Sequence, residues 1–260
     1  MALADAYDAL LLDLDGVLYR GDQAVRGAPE ILRALRSRSH RLAFVTNNST
    51  RTPERVADKL ISLGIEASPG EVVTSALATA DLLSSRGGGT AYVVGEEGIR
   101  SALAATGIAI LDGEPAAVTY VVVGLDRQVT YERLRVASLL VQRGARLVAT
   151  NADPSFPAAE GWWPGAGALL AVITTTTGAE PEIVGKPHGA LYLSALRRTG
   201  GERPLVVGDR LDTDIAGALA LGWDCLLVLS GVTDHEALER SSIRPTFVAD
   251  DLRALLEEPA

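Results

Sequence analysis

The chain has 260 residues, 47% of them hydrophobic, and its 33 acidic against 24 basic residues leave a net charge of −9. That length suits one large or two modest domains, and the acidic balance argues against nucleic acid or an anionic membrane surface as partner, because binding to either starts from a basic surface. No apolar run approaches the roughly 18–20 residues of a membrane span, the short acidic N-terminus is no signal peptide, and a cytoplasmic protein is expected.

The first strong element is Leu10-Leu11-Leu12-Asp13-Leu14-Asp15-Gly16-Val17-Leu18-Tyr19, an apolar run that ends in two carboxylates. Read as a buried strand closed by a Gly turn, it sets Asp13 and Asp15 on one side of its C-terminal end. Two carboxylates that close raise each other's pKa unless a cation or a division of labour relieves the repulsion. Mg²⁺, which prefers hard oxygen ligands, is the natural relief; the plainer reading is a strand followed by a polar turn.

A helix is predicted over 29–37 and a strand over 42–46. That strand ends in Thr46-Asn47-Asn48-Ser49-Thr50, where hydroxyl, amide and backbone N–H groups can hold a phosphate, or simply form a loop. Thr52 and Pro53 open the next helix, with Val56, Leu60 and Leu63 on one face and Gly64 past its end. A helix over 75–84 then runs into Gly87-Gly88-Gly89, read as a loose connection.

A second alternating series follows, with strands over 91–94, 118–123 and 147–150 and a helix over 130–142 closed by Gly144. The tract Thr174–Thr177 reads as a helix end or a turn. In Val184-Gly185-Lys186-Pro187-His188 the Lys is either a solvated surface residue or an ammonium that neutralises a nucleophile and a phosphoryl group. His188 is a helix-start residue. A helix to Thr199 leads to the strand 205–207, which ends in Gly208-Asp209-Arg210-Leu211-Asp212-Thr213-Asp214-Ile215. Asp214 could cap the helix expected through Ala220, and Asp212 is read as surface charge. The one cysteine, Cys225, lies in the next apolar strand as a small buried hydrophobe, and the box Thr233-x-x-Glu236 predicts a final helix.

Alternating strands and helices specify an α/β fold with a largely parallel sheet. If the candidate residues at both ends of the chain share one site, the middle series is an inserted domain. The expected division is a core of residues 1–84 and 181–260 and an insertion over 85–180.

In order and spacing, D-x-D-G-V-L-Y from Asp13, T-N-N-S-T from Thr46, G-K-P from Gly185 and G-D-x-x-x-x-D-I from Gly208 resemble the four motifs of the haloacid dehalogenase-like superfamily. Their form is similar to that of its large-cap subclass (subfamily IIA), which includes p-nitrophenyl, glycerol-3-phosphate, phosphoglycolate and pyridoxal phosphate phosphatases. The resemblance implies a Rossmann-like parallel-sheet core with an inserted α/β cap. It also implies that Asp13 is the nucleophile of an aspartyl-phosphate mechanism and Asp15 the general acid and base. By the same resemblance Thr46, Asn47 and Lys186 bind phosphate, and Mg²⁺ is held by Asp13, the Asp15 carbonyl and Asp209, with Asp214 in support. An acid at Asp15 favours a phosphatase over a dehalogenase, whose halide leaving group needs no proton.

Ala149-Thr150-Asn151-Ala152-Asp153-Pro154-Ser155-Phe156-Pro157 resembles the subclass's substrate-specificity loop, which brings in Asn151, Asp153 and Phe156, the last at its variable position. Leu125, after another strand of the insertion, is a second candidate; Leu125 and Phe156 serve equally well as packing residues. The expected substrate is a small phosphorylated metabolite, first glycerol 3-phosphate, then phosphoglycolate, pyridoxal phosphate or a broad p-nitrophenyl phosphate range. The subclass's use of cap strands as dimer surfaces adds the expectation of a homodimer through the cap. Two readings of other classes compete: a phospho-receiver, which is much shorter and has no insertion, and a non-catalytic phospho-ligand binder, which would lack a nucleophile or metal ligand.

Overall fold

The computed structural model describes residues 1–158 and 160–258. In chain order the first elements are β1 (Ala9–Leu12), β2 (Tyr19–Arg20), β3 (Gln23–Ala24), α1 (Ala28–Ser37), β4 (Arg41–Thr46), α2 (Pro53–Ser62) and β5 (Val72–Thr74). There follow α3 (Ser75–Ser85), β6 (Thr90–Val94), α4 (Glu97–Ala105), β7 (Ala109–Ile110), β8 (Tyr120–Val123), α5 (Tyr131–Gln142) and β9 (Arg146–Ala149). Next come β10 (Ser155–Ala158), β11 (Gly161–Pro164), α6 (Ala166–Thr177) and β12 (Glu182–Ile183). The chain closes with α7 (Gly189–Thr199), β13 (Pro204–Gly208), α8 (Ala216–Ala220), β14 (Asp224–Val228), α9 (His235–Arg240) and β15 (Phe247–Ala249).

Two compact units divide these elements: residues 1–46, 53–73 and 186–260 form the first, and 47–52 with 74–185 the second. The edges differ from the 85–180 block expected from patterning. Helix α3 packs on α4, which draws the second unit back to Thr74, and the short segment 47–52 belongs to it as well.

The first unit is a six-stranded sheet in the order β15-β14-β13-β1-β4-β5. Strand β1 pairs in parallel with β13 on one side and β4 on the other. A central parallel strand is covered on both faces and reads as a continuous apolar run, which is why Ala9-Leu10-Leu11-Leu12 is buried throughout. Leu10 and Leu12 share one face with Phe44, Leu205, Val207 and Leu226, under Leu32 and Leu35 of α1 and Leu60 of α2. Truncating a residue buried like Leu12 to Ala costs about 2–5 kcal/mol, and Leu12 directly precedes Asp13. Gly64 follows α2 at φ +79°, the left-handed conformation that ends a helix most cheaply with Gly.

The second unit holds a parallel sheet in the order β12-β9-β8-β6-β7 and an antiparallel hairpin of β10 and β11. Val121 and Val123 of β8 join Tyr92, Leu140, Leu170 and Ile173 in its core. Thr130 caps α5 by accepting the Arg133 N–H at 3.2 Å. In the hairpin Phe156 stands opposite Trp163, their rings edge to face at 6.0 Å.

The tract 174–177 is a helix end, the last turn of α6 before Gly178 at φ +70°. Two local features differ from the sequence reading. The helix expected after Asp209 opens with a π turn over Leu211–Ile215 before α8. Asp234 rather than Thr233 caps α9, accepting the Ala237 N–H at 2.8 Å, while the Thr233 N–H donates to the Asp209 carbonyl at 3.1 Å. Among the described residues no helix is long and apolar enough to cross a membrane.

Candidate active site

In the first unit the strand order reverses at β1, since the chain adds β4 and β5 on one side and β13, β14 and β15 on the other. Open α/β sheets bind ligands at the carboxyl ends of strands beside such a reversal. Asp13 follows the last residue of β1, Asp209 follows the last residue of β13, and Thr46 ends β4. The ladder holds them level: Leu12 is in register with Val207 and with Phe44, and the Asp13 N–H donates to the Val207 carbonyl at 2.8 Å.

Lys186 reaches into this edge from the turn before α7. Its ammonium lies 2.5 Å from Asp13 Oδ1, 2.8 Å from Asp214 Oδ1 and 2.9 Å from the Val45 carbonyl oxygen. Burial alone would lower the lysine's pKa, but the two carboxylates outweigh it and raise it, so the ammonium stays charged. Burial pushes the Asp13 carboxyl well above the usual carboxylate range, opposed by Lys186 and reinforced by Asp214 and Asp209. Asp209 is pushed up to about 6 by burial and then by Asp214.

Asp209 Oδ2 accepts the Val232 N–H at 2.6 Å. Asp214 Oδ2 accepts the Arg210 N–H at 3.2 Å, and its Oδ1 accepts the Tyr192 hydroxyl at 3.4 Å beside Lys186. Asp13, Asp209 and Asp214 each offer one carboxylate oxygen within 4.8 Å of the others. Three hard oxygen donors gathered so closely fit a hard divalent cation of the Mg²⁺ kind. The backbone leaves room for Asp209: a Cβ on Gly16 would fall 2.3 Å from Asp209 Oδ2, and one on Gly231 2.0 Å from it.

Asp15 is exposed in the turn after β1. Gly16, at φ +84°, donates its N–H to the Tyr19 carbonyl at 2.8 Å and accepts the Ser230 hydroxyl at 2.8 Å. The turn that carries Asp15 is thereby pinned from two sides. Asp212 is exposed and paired with Arg210 at 2.8 Å, a surface charge as read.

The remaining sequence candidates, Asn47, Leu125, Asn151, Asp153 and Phe156, lie in the second unit. Leu125 is half-buried just past the end of β8, next to buried Asp126, whose carboxylate pairs with Arg133 at 2.9 Å. Phe156 is half-buried on β10. Asn151 is buried, and its amide donates to the Asn47 carbonyl at 2.8 Å, while Asn47 Nδ2 donates to Asp153 Oδ2 at 3.3 Å. Sequence reasoning passed over Tyr192, which carries no motif, and Ser75, whose only signal was a hydroxyl pair, Thr74-Ser75, at a strand end.

Residues 10–109 match the family of haloacid dehalogenase-like hydrolases, and residues 183–255 match a HAD-hydrolase-like family. A Staphylococcus saprophyticus protein named acid sugar phosphatase is 42% identical over 97% of this chain and 98% of its own. The structure of glycerol phosphate phosphatase Rv1692 from Mycobacterium tuberculosis in complex with magnesium is 38% identical, with a TM-score of 0.94 over 99% of this chain and 79% of that one. NagD from E. coli K-12 is 33% identical, with a TM-score of 0.87 over 94% and 96% of the two chains. The chain belongs to the haloacid dehalogenase-like hydrolases and is a phosphatase of that family.

Proposed function

We propose that the substrate is a small phosphomonoester, first of all glycerol 3-phosphate, and that hydrolysis runs through an aspartyl phosphate on Asp13. The observation that carries the reading is the Lys186 ammonium set 2.5 Å from Asp13 Oδ1 beside a cluster of acids at the switch edge of the sheet. Asp13 attacks phosphorus as the bond to the leaving oxygen breaks, and Asp15, as the acid, gives that oxygen its proton. Water then attacks the phosphorus of the aspartyl phosphate, Asp15 takes the water's proton, and the bond to Asp13 breaks. Lys186 offsets negative charge on the carboxylate and on the phosphoryl oxygens, and Thr46 and Asn47 hold those oxygens.

Asp13, the Asp15 carbonyl and Asp209 would hold Mg²⁺, which supplies charge neutralisation for a phosphate among acids. With its oxygens engaged by Lys186, Tyr192 and the Arg210 N–H, Asp214 suits a supporting place. Similarity to the magnesium-bound glycerol phosphate phosphatase supports both the ion and the first substrate. Similarity to the acid sugar phosphatases supports small sugar phosphates as the second reading. We assign choice of leaving group to Leu125 and Phe156.

The test is phosphate release from glycerol 3-phosphate, small sugar phosphates, phosphoglycolate, pyridoxal phosphate and p-nitrophenyl phosphate, each with Mg²⁺ and with EDTA. The expected result is turnover only with the metal, fastest on glycerol 3-phosphate. Faster turnover of a sugar phosphate would select the second reading. Silence toward every ester in Mg²⁺ would overturn the catalytic proposal in favour of phospho-ligand binding.

A further inference from the structure

The segment that follows Thr46, residues 47–52, belongs to the second unit and is tied to the rest of that unit. The Asn47 carbonyl accepts two hydrogen bonds, from Asn151 Nδ2 at 2.8 Å and from Ser75 Oγ at 2.6 Å. A carbonyl oxygen has two lone pairs, and both are used. The other end of the Asn151 amide accepts the Asp153 N–H at 3.1 Å, and Asp153 Oδ2 receives the Asn47 side chain at 3.3 Å. Farther along, the Thr150 hydroxyl donates to Ser49 Oγ at 3.0 Å, and the Gly98 N–H to the Thr50 carbonyl at 3.1 Å. Asn151 is 6% exposed and Ser75 fully buried.

The family resemblance placed Asn151 among the residues that select a substrate. Its geometry gives it different work, since both ends of its amide are engaged inside the unit, one of them on the residue after Thr46. We infer that Asn151 and Ser75 are positioning residues. Together they fix the Asn47 carbonyl, and through it the Thr46–Asn47 peptide, so they set affinity for the phosphoryl group shared by all substrates and leave choice among leaving groups untouched. This rests on the proposed reading of Thr46 and Asn47 as phosphate-holding residues.

The physical reason is that this peptide is anchored from both directions. On its N-terminal side β4 is held by the ladder to β1; on its C-terminal side the two donors close on one part-buried oxygen. Removing either donor leaves that part-buried oxygen half satisfied, which local loosening of the chain relieves. The loss falls on the phosphoryl contact, and every ester presents the same phosphoryl group.

The experiment compares wild type with Asn151→Ala and Ser75→Ala on glycerol 3-phosphate, phosphoglycolate and p-nitrophenyl phosphate. It includes inhibition by inorganic phosphate and direct phosphate titration by calorimetry in Mg²⁺. Both variants are expected to lose kcat/KM by about 5- to 30-fold, by one common factor for all three esters, with phosphate affinity weakened in step and melting still cooperative. A changed ranking of the esters with phosphate affinity at the wild-type level would overturn the inference. Ser75→Ala removes a single oxygen, so it carries the test if Asn151→Ala fails to fold. Wild type silent toward every ester would strike the proposed reaction instead, and phosphate titration of the same variants would still decide the positioning role.

Discussion

Lys186 and Asp13, 173 residues apart in the chain, meet with Nζ 2.5 Å from Oδ1 while the lysine side chain is only 3% exposed. An ammonium so placed is held by charge from more than one side, because Asp214 stands 2.8 Å from the same nitrogen. Stability and chemistry therefore depend on the same atoms.

Asp13→Asn keeps the shape of the side chain and removes the nucleophile. Phosphate release should fall at least about a thousandfold, the scale on which loss of a nucleophile is felt. The melting temperature should stay within a few degrees, since Lys186 retains Asp214 and the Val45 carbonyl. Substantial residual turnover in this variant would sink the covalent mechanism.

Lys186→Met leaves Asp13, Asp209 and Asp214 clustered without their cation. Breaking a buried pair by removing one partner costs about 3–5 kcal/mol, and chemical denaturation in EDTA should show a loss of that order. Part of it should return with Mg²⁺, because an ion that binds only the folded protein stabilises it. An unchanged denaturation midpoint in EDTA would mean that the acids do not need the ammonium.

Gly16→Ala tests the room around Asp209. A Cβ there would lie 2.3 Å from Asp209 Oδ2 at a backbone φ of +84°, a conformation that costs an ordinary residue about 1–2 kcal/mol. The variant should need at least about tenfold more Mg²⁺ for half-maximal activity, the equivalent of roughly 1.4 kcal/mol. A wild-type metal titration would show that Asp209 tolerates displacement.

Acid stability should report the pair Arg36–Glu71 in the first unit. Burial alone would raise the Glu71 pKa, but the Arg36 guanidinium at 2.6 Å and the Ser68 N–H and hydroxyl outweigh it and hold the carboxyl below its usual value. A group whose folded pKa is depressed adds stability above its unfolded pKa and loses it as pH falls through the folded value. Glu71→Gln should thus cost about 1 kcal/mol near neutrality, with the gap to wild type closing as pH falls below about 4.3. Denaturation curves at pH 7 and pH 4 would show it, and a gap that grows on acidification would refute the assignment.

Much of the first unit was legible because its chemistry sits where patterning is strongest. Buried parallel strands are uninterrupted apolar runs, and the acids that end them at Asp13 and Asp209 mark the same sheet edge. The strands at 91–94, 118–123 and 147–150 and the helix at 130–142 of the second unit were legible by the same patterning, and what was missed followed rules that local pattern does not carry. The sequence of the β10–β11 hairpin carries Pro157 and Pro164 and shows no apolar alternation, and α4, which begins at Glu97 with Gly98 in its first turn, has no strong start signal. The cap of α9 moved from Thr233 to Asp234 because the Thr233 backbone is engaged with Asp209, a partner 24 positions upstream by number. The partners of Asn151 were invisible for the same reason: a side-chain amide bound to a distant carbonyl leaves no periodic trace.

The chain passes from one unit to the other four times, at 46/47, 52/53, 73/74 and 185/186. The second unit is therefore no single cassette in the gene. A chimera that exchanges only 74–185 would carry Ser75, Gly98, Thr150 and Asn151 into a background whose loop 47–52 came from another parent, and would mismatch the set that holds Asn47, Ser49 and Thr50. Interchangeable parts for this architecture come in two pieces that travel together, the short loop and the long insert, and recombination that respects only the longer one breaks the joint between them.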